Sequence, residues 1–386
     1  MANRFETRLC GFLDLVVSMR KKPKSHLDKV DQIINWKPIA GFLRKKLRRQ
    51  EDAVGNPAYP ALGMFTVLLL QRWYDLSDQG MEDALADRIS FCRFAGSSMD
   101  HESPDASTTC RFRNHLEERG LLAKLLNMIN QQLERHGILV RTGSLVDASL
   151  IPSARKPRKV EEVIADEQDD EDDGDQNHGQ RARHSVETSY SDDTEARWAK
   201  QGKVYCYGYK GHMAVDVGDG FIMGGHVTAA NRPDCLELMN VVGESGLEDG
   251  APVFADKGYA SAENRCDLED AGYFDGIMYK GARDHPLGWA EKTVNRAIAT
   301  VRGAVERAFG SMKKHYGLER ARSLGTAKVR MRFLLSAMAF NLKKAALLGG
   351  IGGGPNSPPP AASCGRHQRR QAANRESKTP RQARKS

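Results

Sequence analysis

Apolar positions recur at helical spacing along the first third of the chain and give way to β-rich runs beyond it. In residues 61–76, Leu62, Phe65, Leu69, Trp73 and Leu76 share one helical face, and Pro60 stands just before them, where a proline suits a helix start. A second helix is expected from about Gln79 to Ile89. Asp105 or Ser107 can cap a third, which carries Arg111 and Arg113 and is broken by Gly120. Leu122, Leu125, Leu126, Ile129 and Leu133 mark a fourth, closed by Gly137. Residues 1–137 thus read as all-helical, a region suited to binding DNA or to serving as a scaffold or dimerisation module.

From about residue 140 the period shortens. GSLVDASLI reads as a strand, and KVYCYGYKGHMAVDV and FIMGGHVTAAN as a hairpin around Gly218-Asp219-Gly220. A helix follows Pro233, and APVFADKGYA holds a short buried strand ending at Asp256. A further helix and strand lead to a long helix from about Glu291 to Tyr316 and an apolar one from about Lys328 to Leu348. Strand, hairpin, helix, strand, helix, strand, helix predicts an α/β layout, a mixed sheet flanked by helices. Two stretches stand apart. Residues 154–195 alternate basic and acidic runs, as a flexible charged insertion does, and the tail after Gly349 is Gly/Pro-rich and then basic, with the composition of a disordered segment. The expected division is a helical region over 1–139, an α/β domain over 140–348 with its insertion at 154–195, and a tail over 349–386.

Charge sharpens this picture. The formal net charge is +8, and basic bursts lie at Arg20–Lys24 and Arg44–Arg49, which favours a polyanionic partner, nucleic acid foremost. Seven scattered cysteines, with no C-x-x-C pair, argue against a disulfide framework or a zinc ribbon and suit a reducing cytoplasm. No stretch approaches the roughly 20 apolar residues needed to span a bilayer.

Three acids occupy unusual places. Asp147 interrupts an apolar strand, where an unpartnered acid is costly. Asp256 closes PVFAD, and Glu306 sits in VRGAVERAFGSMKK. Singly they read as a misplaced strand acid, a turn former and a surface glutamate. Together they can converge at the carboxyl ends of strands, where α/β sheets gather ligands. Clustered carboxylates repel and raise one another's pKa, and a divalent cation relieves that. Oxygen-only ligands point to Mg²⁺, with Mn²⁺ as a substitute. Arg302 and Lys313 share the helical face of Glu306, so cations there can grip phosphate; the plainer alternative is an Arg302–Glu306 salt bridge within the helix.

Here the sequence resembles a known family, the DDE transposases of bacterial insertion sequences, specifically the insertion-sequence-five type. LVDASLI matches the segment around that family's first aspartate, YGYKGHMAVD and HVTAANRPD its hairpin and following turn, and VFADKGYA its second aspartate. NRAIATVRGAVERAFGSMKK matches its signature helix of tyrosine, arginine, glutamate and lysine, with Arg302, Glu306 and Lys313 in three of the places and Ala299 where the tyrosine belongs. YPALGMFTVLLLQRWYDLSD and SPDASTTCRFRNHL resemble the family's helical N-terminal domain. The resemblance covers roughly residues 59–345.

It implies an RNase H-like core with Asp147 on the first strand, Asp256 on the fourth and Glu306 on a later helix, all three catalytic and metal-binding. It implies Mg²⁺-dependent cleavage at the element's ends and transfer of the freed 3′-hydroxyls to target DNA. Partners would be the terminal inverted repeats, target DNA and further copies of the chain, as a dimer or larger assembly in the bacterial cytoplasm at the nucleoid. Arg302 and Lys313 would hold phosphates near the cut. Lys257, Lys210 and His212 are further candidates for backbone contact, as are Arg111 and Arg113 on the helical region, and Trp198 could stack on an unpaired base. Rival readings are a nuclease or resolvase of the same fold that does not join strands, and a non-catalytic DNA-binding protein derived from a transposase.

Overall fold

A computed structural model describes residues 25–47, 58–97, 103–155, 160–165, 184–189, 193–202, 204–282 and 285–349. The basic burst at residues 20–24, Arg48, Arg49, the acidic run of the insertion and the tail from residue 350 lie outside them.

The first region is helical, as its periodicity predicts. Helix α1 (His26–Ile33) starts with a reciprocal cap between Ser25 and Asp28, and α2 (Trp36–Lys46) is capped by Asn35. Helix α3 (Ala61–Trp73) is buried on every side, from Leu62 through Trp73, which puts it at the centre of the helices rather than on their surface. The helix expected from about Gln79 to Ile89 is α4 (Asp78–Asp87), and a further one, α5 (Ile89–Ala95), follows it after the extended backbone of Arg88. Asp105 caps α6 (Ala106–Glu118), accepting the Thr108 amide at 2.6 Å. Helix α7 (Leu122–Arg135) is followed by Gly137, whose positive φ of 63° ends the helix in a conformation open mainly to glycine.

The sheet begins with β1 (Ser144–Pro152). Within the insertion, β2 (Val160–Ala165) and β3 (His184–Ser189) pair with each other as a separate antiparallel two-stranded sheet, so these described parts are not the structureless loop their composition suggests. Their runs VEEVIA and HSVETS hold all but one, Thr194, of the segment's β-branched residues. Strands β4 (Arg197–Gln201), β5 (Val204–Asp216), β6 (Ile222–Ala229), β7 (Pro252–Ala255) and β8 (Phe274–Ile277) complete the main sheet. β5 pairs antiparallel with β1 on one side and with β4 and β6 on the other, while β7 runs parallel to β1 and β8 parallel to β7. Three antiparallel strands followed by two parallel to the first is the RNase H-like arrangement, and β7 is its fourth strand once the β2–β4 insertion is set aside.

Alternation along the strands sorts side chains to two faces. Leu145, Tyr209, Met213 and Val215 face one core, and Val146, Ala214, Val253 and Ala255 face the other. The second face is covered by α8 (Leu238–Ser245) and α9 (Ala262–Asp270). The first is covered by α7, by α10 (Trp289–Val301) continued as α11 (Gly303–His315), and by α12 (Thr326–Leu348). One helix was expected where α10 and α11 meet; Arg302 is the joint, followed by Gly303, a poor helix former. Helix α12 also packs on the N-terminal helices: the indole of Trp73 donates to the Ala339 carbonyl at 2.7 Å, and Asn341 ties Asn130 to the Ile222 backbone. Among the described residues no helix is long and apolar enough to cross a membrane.

Candidate active site

The register of two parallel strands decides where the first two acids meet. Val146 pairs with Ala255 as the last rung of the β1–β7 ladder, so Asp147, still paired with Met213 in the middle of β1, and Asp256, just past the end of β7, stand side by side where the parallel pairing stops. Strand alternation places Asp147 on the face of Leu145, under α10 and α11. Arg302, at the joint of those helices, reaches both acids with a single nitrogen: Nη2 lies 3.1 Å from Asp147 Oδ2 and 3.9 Å from Asp256 Oδ2. Asp147 Oδ1 accepts the Ala148 amide at 2.8 Å, and Asp256 Oδ1 accepts the Gly258 amide at 2.7 Å, starting the short turn Lys257–Tyr259. Burial pushes the Asp147 carboxyl above its ordinary value against the pull of Ala148 and Arg302, and the charge of Asp256 adds to the rise. The pair is thus short of positive charge even with a guanidinium between them.

Two further groups belong to this site. Asp234 begins the short turn after β6, its Oδ1 lying 2.7 Å from Lys210 Nζ. Asp234 and Asp256 flank Gly258: a side chain there would place its first carbon 2.9 Å from Asp256 Oδ1 and 3.8 Å from Asp234 Oδ2. Tyr259 is fully buried, and its hydroxyl has no hydrogen-bond partner among the described residues. Burial, then the charges of Asp234, Asp147 and Asp256, push that phenol well above its ordinary range. Neither residue stands out in the sequence. Asp234 sits in NRPD, where an Asp after Pro looks like a turn former, and Tyr259 in ADKGYA looks like a core aromatic.

The remaining expected residues divide. Glu306 follows Arg302 by four residues on α11, exposed, and its carboxylate has no ion pair or side-chain hydrogen bond among the described residues. The salt bridge Arg302–Glu306 does not form, because Arg302 turns to the aspartates instead. Among the described residues no three His, Cys, Asp or Glu side chains lie close enough to hold one ion, so Asp147 and Asp256 converge while Glu306 stands aside. Lys257 is exposed beside Asp256, whereas Lys210 is held by Asp234 and by the Arg232 carbonyl at 2.8 Å. Lys313 is half-buried near Cys206 and Glu319, and burial pushes its amine below the usual lysine range.

His212 does not fit its expected role as a backbone contact. It is fully buried, bonded to Thr228 at 2.9 Å and stacked on His226 at 5.2 Å, and burial together with His226 pushes it down to about 3. A neutral ring with no exposed surface offers phosphate neither charge nor reach. Trp198 is 50% exposed on β4, its ring 5.4 Å from Tyr207. Trp289, at the start of α10, is 82% exposed and was not singled out from the sequence. On α6, Arg111 is exposed, whereas Arg113 makes a two-pronged bond to Asp78 at 2.7 Å on each oxygen.

The donor set suits a hard divalent cation: aspartate oxygens, negative charge in excess, and a guanidinium lying where positive charge is needed, its Nε buried without a partner. Comparison with known proteins agrees with that chemistry. The profile of the family described as "Transposase DDE domain" matches residues 139–342, and that of "Transposase domain (DUF772)" matches residues 16–115. The transposase for insertion sequence element IS1106 of Neisseria meningitidis serogroup B is 38% identical over 239 residues, spanning 61% of this chain and 77% of that protein. Among solved structures, the piggyBac transposase synaptic complex with hairpin DNA aligns at a TM-score of 0.39 and 10% identity, covering 86% of this chain and 77% of that one. The Mos1 strand transfer complex aligns at a TM-score of 0.18 and 11% identity, covering 87% of this chain and 90% of that one.

Proposed function

Because the chain belongs to the DDE transposases of bacterial insertion sequences, enzymes that cut DNA and transfer its strands, we propose that Asp147, Asp256 and Glu306 are its catalytic, metal-binding acids and that the ion is Mg²⁺, with Mn²⁺ as a substitute. The observation that supports this best is the register that sets Asp147 and Asp256 side by side where the β1–β7 pairing ends, sharing one guanidinium. Asp147 and Asp256 would hold the ion, and the free carboxylate of Glu306, one helical turn past Arg302, would turn in to join them. Bound Mg²⁺ would supply Lewis acidity at the scissile phosphate and neutralise the acids.

The protein's own groups do the rest. Arg302, released from the aspartates, moves its fork of donors to a phosphate oxygen. Exposed Lys257 grips the backbone beside the cut, and Lys313 does so further along α11. Asp234 fixes Lys210 at the rim of the site, a positioning role. The sheet and the packed joint of α10 and α11 hold these groups with little freedom, so catalysis rests on placement and charge rather than on a covalent protein intermediate. We assign the terminal inverted repeats and target DNA as substrates and a dimer or larger assembly as the working form, since two ends must meet.

The test uses a short duplex carrying the element's own end. The wild-type chain with Mg²⁺ cuts and joins it, whereas Asp147→Asn, Asp256→Asn and Glu306→Gln bind it without cutting. Cleavage that survives Glu306→Gln would remove that residue from the catalytic set. Cleavage without joining by the wild type would favour the nuclease alternative.

A further inference from the structure

A second site lies between the helices. A cavity of about 330 Å³ opens between α3, α6 and the first turns of α12. Five of its wall residues are cations: Arg72, Arg113, Arg322, Lys328 and Arg332. Two carboxylates answer them. Asp78 is taken by Arg113 through both oxygens, with Gln71 accepting a further bond from Arg113 at 3.2 Å. Asp75, held in a left-handed backbone conformation at φ 48° after α3, is shared by Arg322 and by Arg332, the latter at 3.4 Å.

Arg72 is left over. It is 5% exposed, makes no hydrogen bond or ion pair with any described residue, and buries Nη1 with no partner. The Nε of Arg332, a residue 8% exposed, is likewise buried without an acceptor among the described residues. A guanidinium only donates, so each of these atoms needs an oxygen that this part of the chain does not supply. Burial, followed by the charges of Arg332 and Arg113, pushes Arg72 down to about 9, and burial with Arg322 pushes Arg332 down to about 10. Buried donors without an acceptor are costly, and the oxygens of a ligand complete them.

We propose that this cavity binds a phosphate group, with Arg72 and Arg332 as its buried donors and Arg322 and Lys328 at its mouth. Several guanidinium forks around one small space match a tetrahedral oxyanion better than a point-like halide. None of Asp147, Asp256, Arg302 and Glu306 lines this cavity. The phosphate comes either from the backbone of bound DNA or from a free phosphate-bearing molecule.

The test is thermal unfolding of the full chain titrated with inorganic phosphate at constant ionic strength, chloride being the control. Wild-type Tm rises with the logarithm of phosphate concentration. Arg72→Met starts from a higher Tm in chloride, because an unpaired buried charge is gone, and phosphate no longer moves it. Arg322→Gln, an exposed change at the mouth that leaves the core intact, weakens the phosphate response several-fold. Phosphate doing no more than chloride to the wild type, or moving Arg72→Met and Arg322→Gln as far as the wild type, overturns the proposal. Salt dependence of duplex binding then names the source. A backbone phosphate makes the slope of log K against log salt shallower by about 1 in Arg72→Met. A free phosphate ligand leaves that slope unchanged while the phosphate response is lost.

Discussion

The carboxyl edge of the sheet and the cavity beside α3 mirror each other in charge. At the edge one guanidinium, that of Arg302, is shared between Asp147 and Asp256, with Asp234 close by and Glu306 a turn away. At the cavity one carboxylate, that of Asp75, is shared between Arg322 and Arg332, with Arg72 making no hydrogen bond or ion pair among the described residues. Each place leaves buried polar atoms unpartnered, Tyr259 and Arg302 in the first, Arg72 and Arg332 in the second. Folding alone rarely keeps such imbalance, since well-packed apolar groups of the same size would cost less. The difference in sign separates the two proposed tasks: a cation and chemistry at the acidic place, a held anion at the basic one.

The acidic half of that comparison breaks most visibly in activity. Asp147→Asn and Asp256→Asn should each lower DNA cleavage at least about 100-fold, as removal of a charge-placing group at a reacting centre does. Duplex binding in a gel shift should persist. Cleavage within a few-fold of wild type would show that the edge is only a structural acid pair. Next in size is Arg302→Ala. Without the shared guanidinium the two aspartates face each other, and urea unfolding in metal-free buffer should show a loss of about 2–3 kcal/mol. Mg²⁺ should then recover more stability for this variant than it adds to the wild type, because ion and guanidinium compete for the same oxygens. Equal Mg²⁺ effects on both proteins would mean that the ion sits elsewhere.

How much of the two places could be read from the chain beforehand follows from the range of the interactions involved. Asp147 stood out because an acid inside an apolar strand is a local anomaly, whereas Asp256 alone reads as a turn former and gained meaning only beside Asp147 and Glu306 and through the family resemblance. The pairing that unites them was visible only as strand order, since the Val146–Ala255 register depends on the whole sheet. Arg302 was seen as a helix-face cation, but its turn toward the sheet needs the break between α10 and α11, which Gly303 hints at and tertiary packing decides. His212 misled because a histidine within a strand carries no mark of which way it faces until β6 is laid beside β5. The basic cavity was not legible at all. Arg72 lies in an apolar helical run, Arg113 looked like a DNA contact, and Arg332 belongs to the last helix; they meet only when α12 folds back across α3 and α6.

The two places should also answer pH with opposite signs. Burial of Asp147 raises its carboxyl pKa, so its protonated form favours the fold; that contribution is full below the unfolded value and is lost as pH rises through the raised one. Asp147→Asn should therefore gain stability over wild type near neutral pH, and the gain should vanish on acidification. Asp78 is the reverse. Burial pushes it up, but the bonds and charge of Arg113 and Gln71 outweigh that and hold it below the usual range. Its stabilisation is present above the unfolded value and lost as pH falls through the lowered one. Asp78→Asn should cost about 1–2 kcal/mol near pH 7, with the deficit fading below about pH 4. It should also strengthen the phosphate response, since one of the two acids at the cavity is gone. Paired denaturation curves at several pH values check both signs, and curves that shift together would end the mirror reading.

The smallest effect expected is at Tyr259, and it separates a passive edge from one that is completed by a ligand. Its hydroxyl is buried without a partner, so Tyr259→Phe in metal-free buffer should cost nothing or add up to about 1 kcal/mol. The same comparison in Mg²⁺ is the informative one. If an ion or its waters reach the space among Asp147, Asp234 and Asp256, the phenol gains a bond there, and Tyr259→Phe becomes less stable relative to wild type once Mg²⁺ is present. The ring still fills its place in the core in either case, so the change between the two buffers isolates the hydroxyl from packing. An unchanged difference would leave the phenol as a packing group whose oxygen nothing uses, and would narrow the acidic place to Asp147, Asp256 and the guanidinium they share.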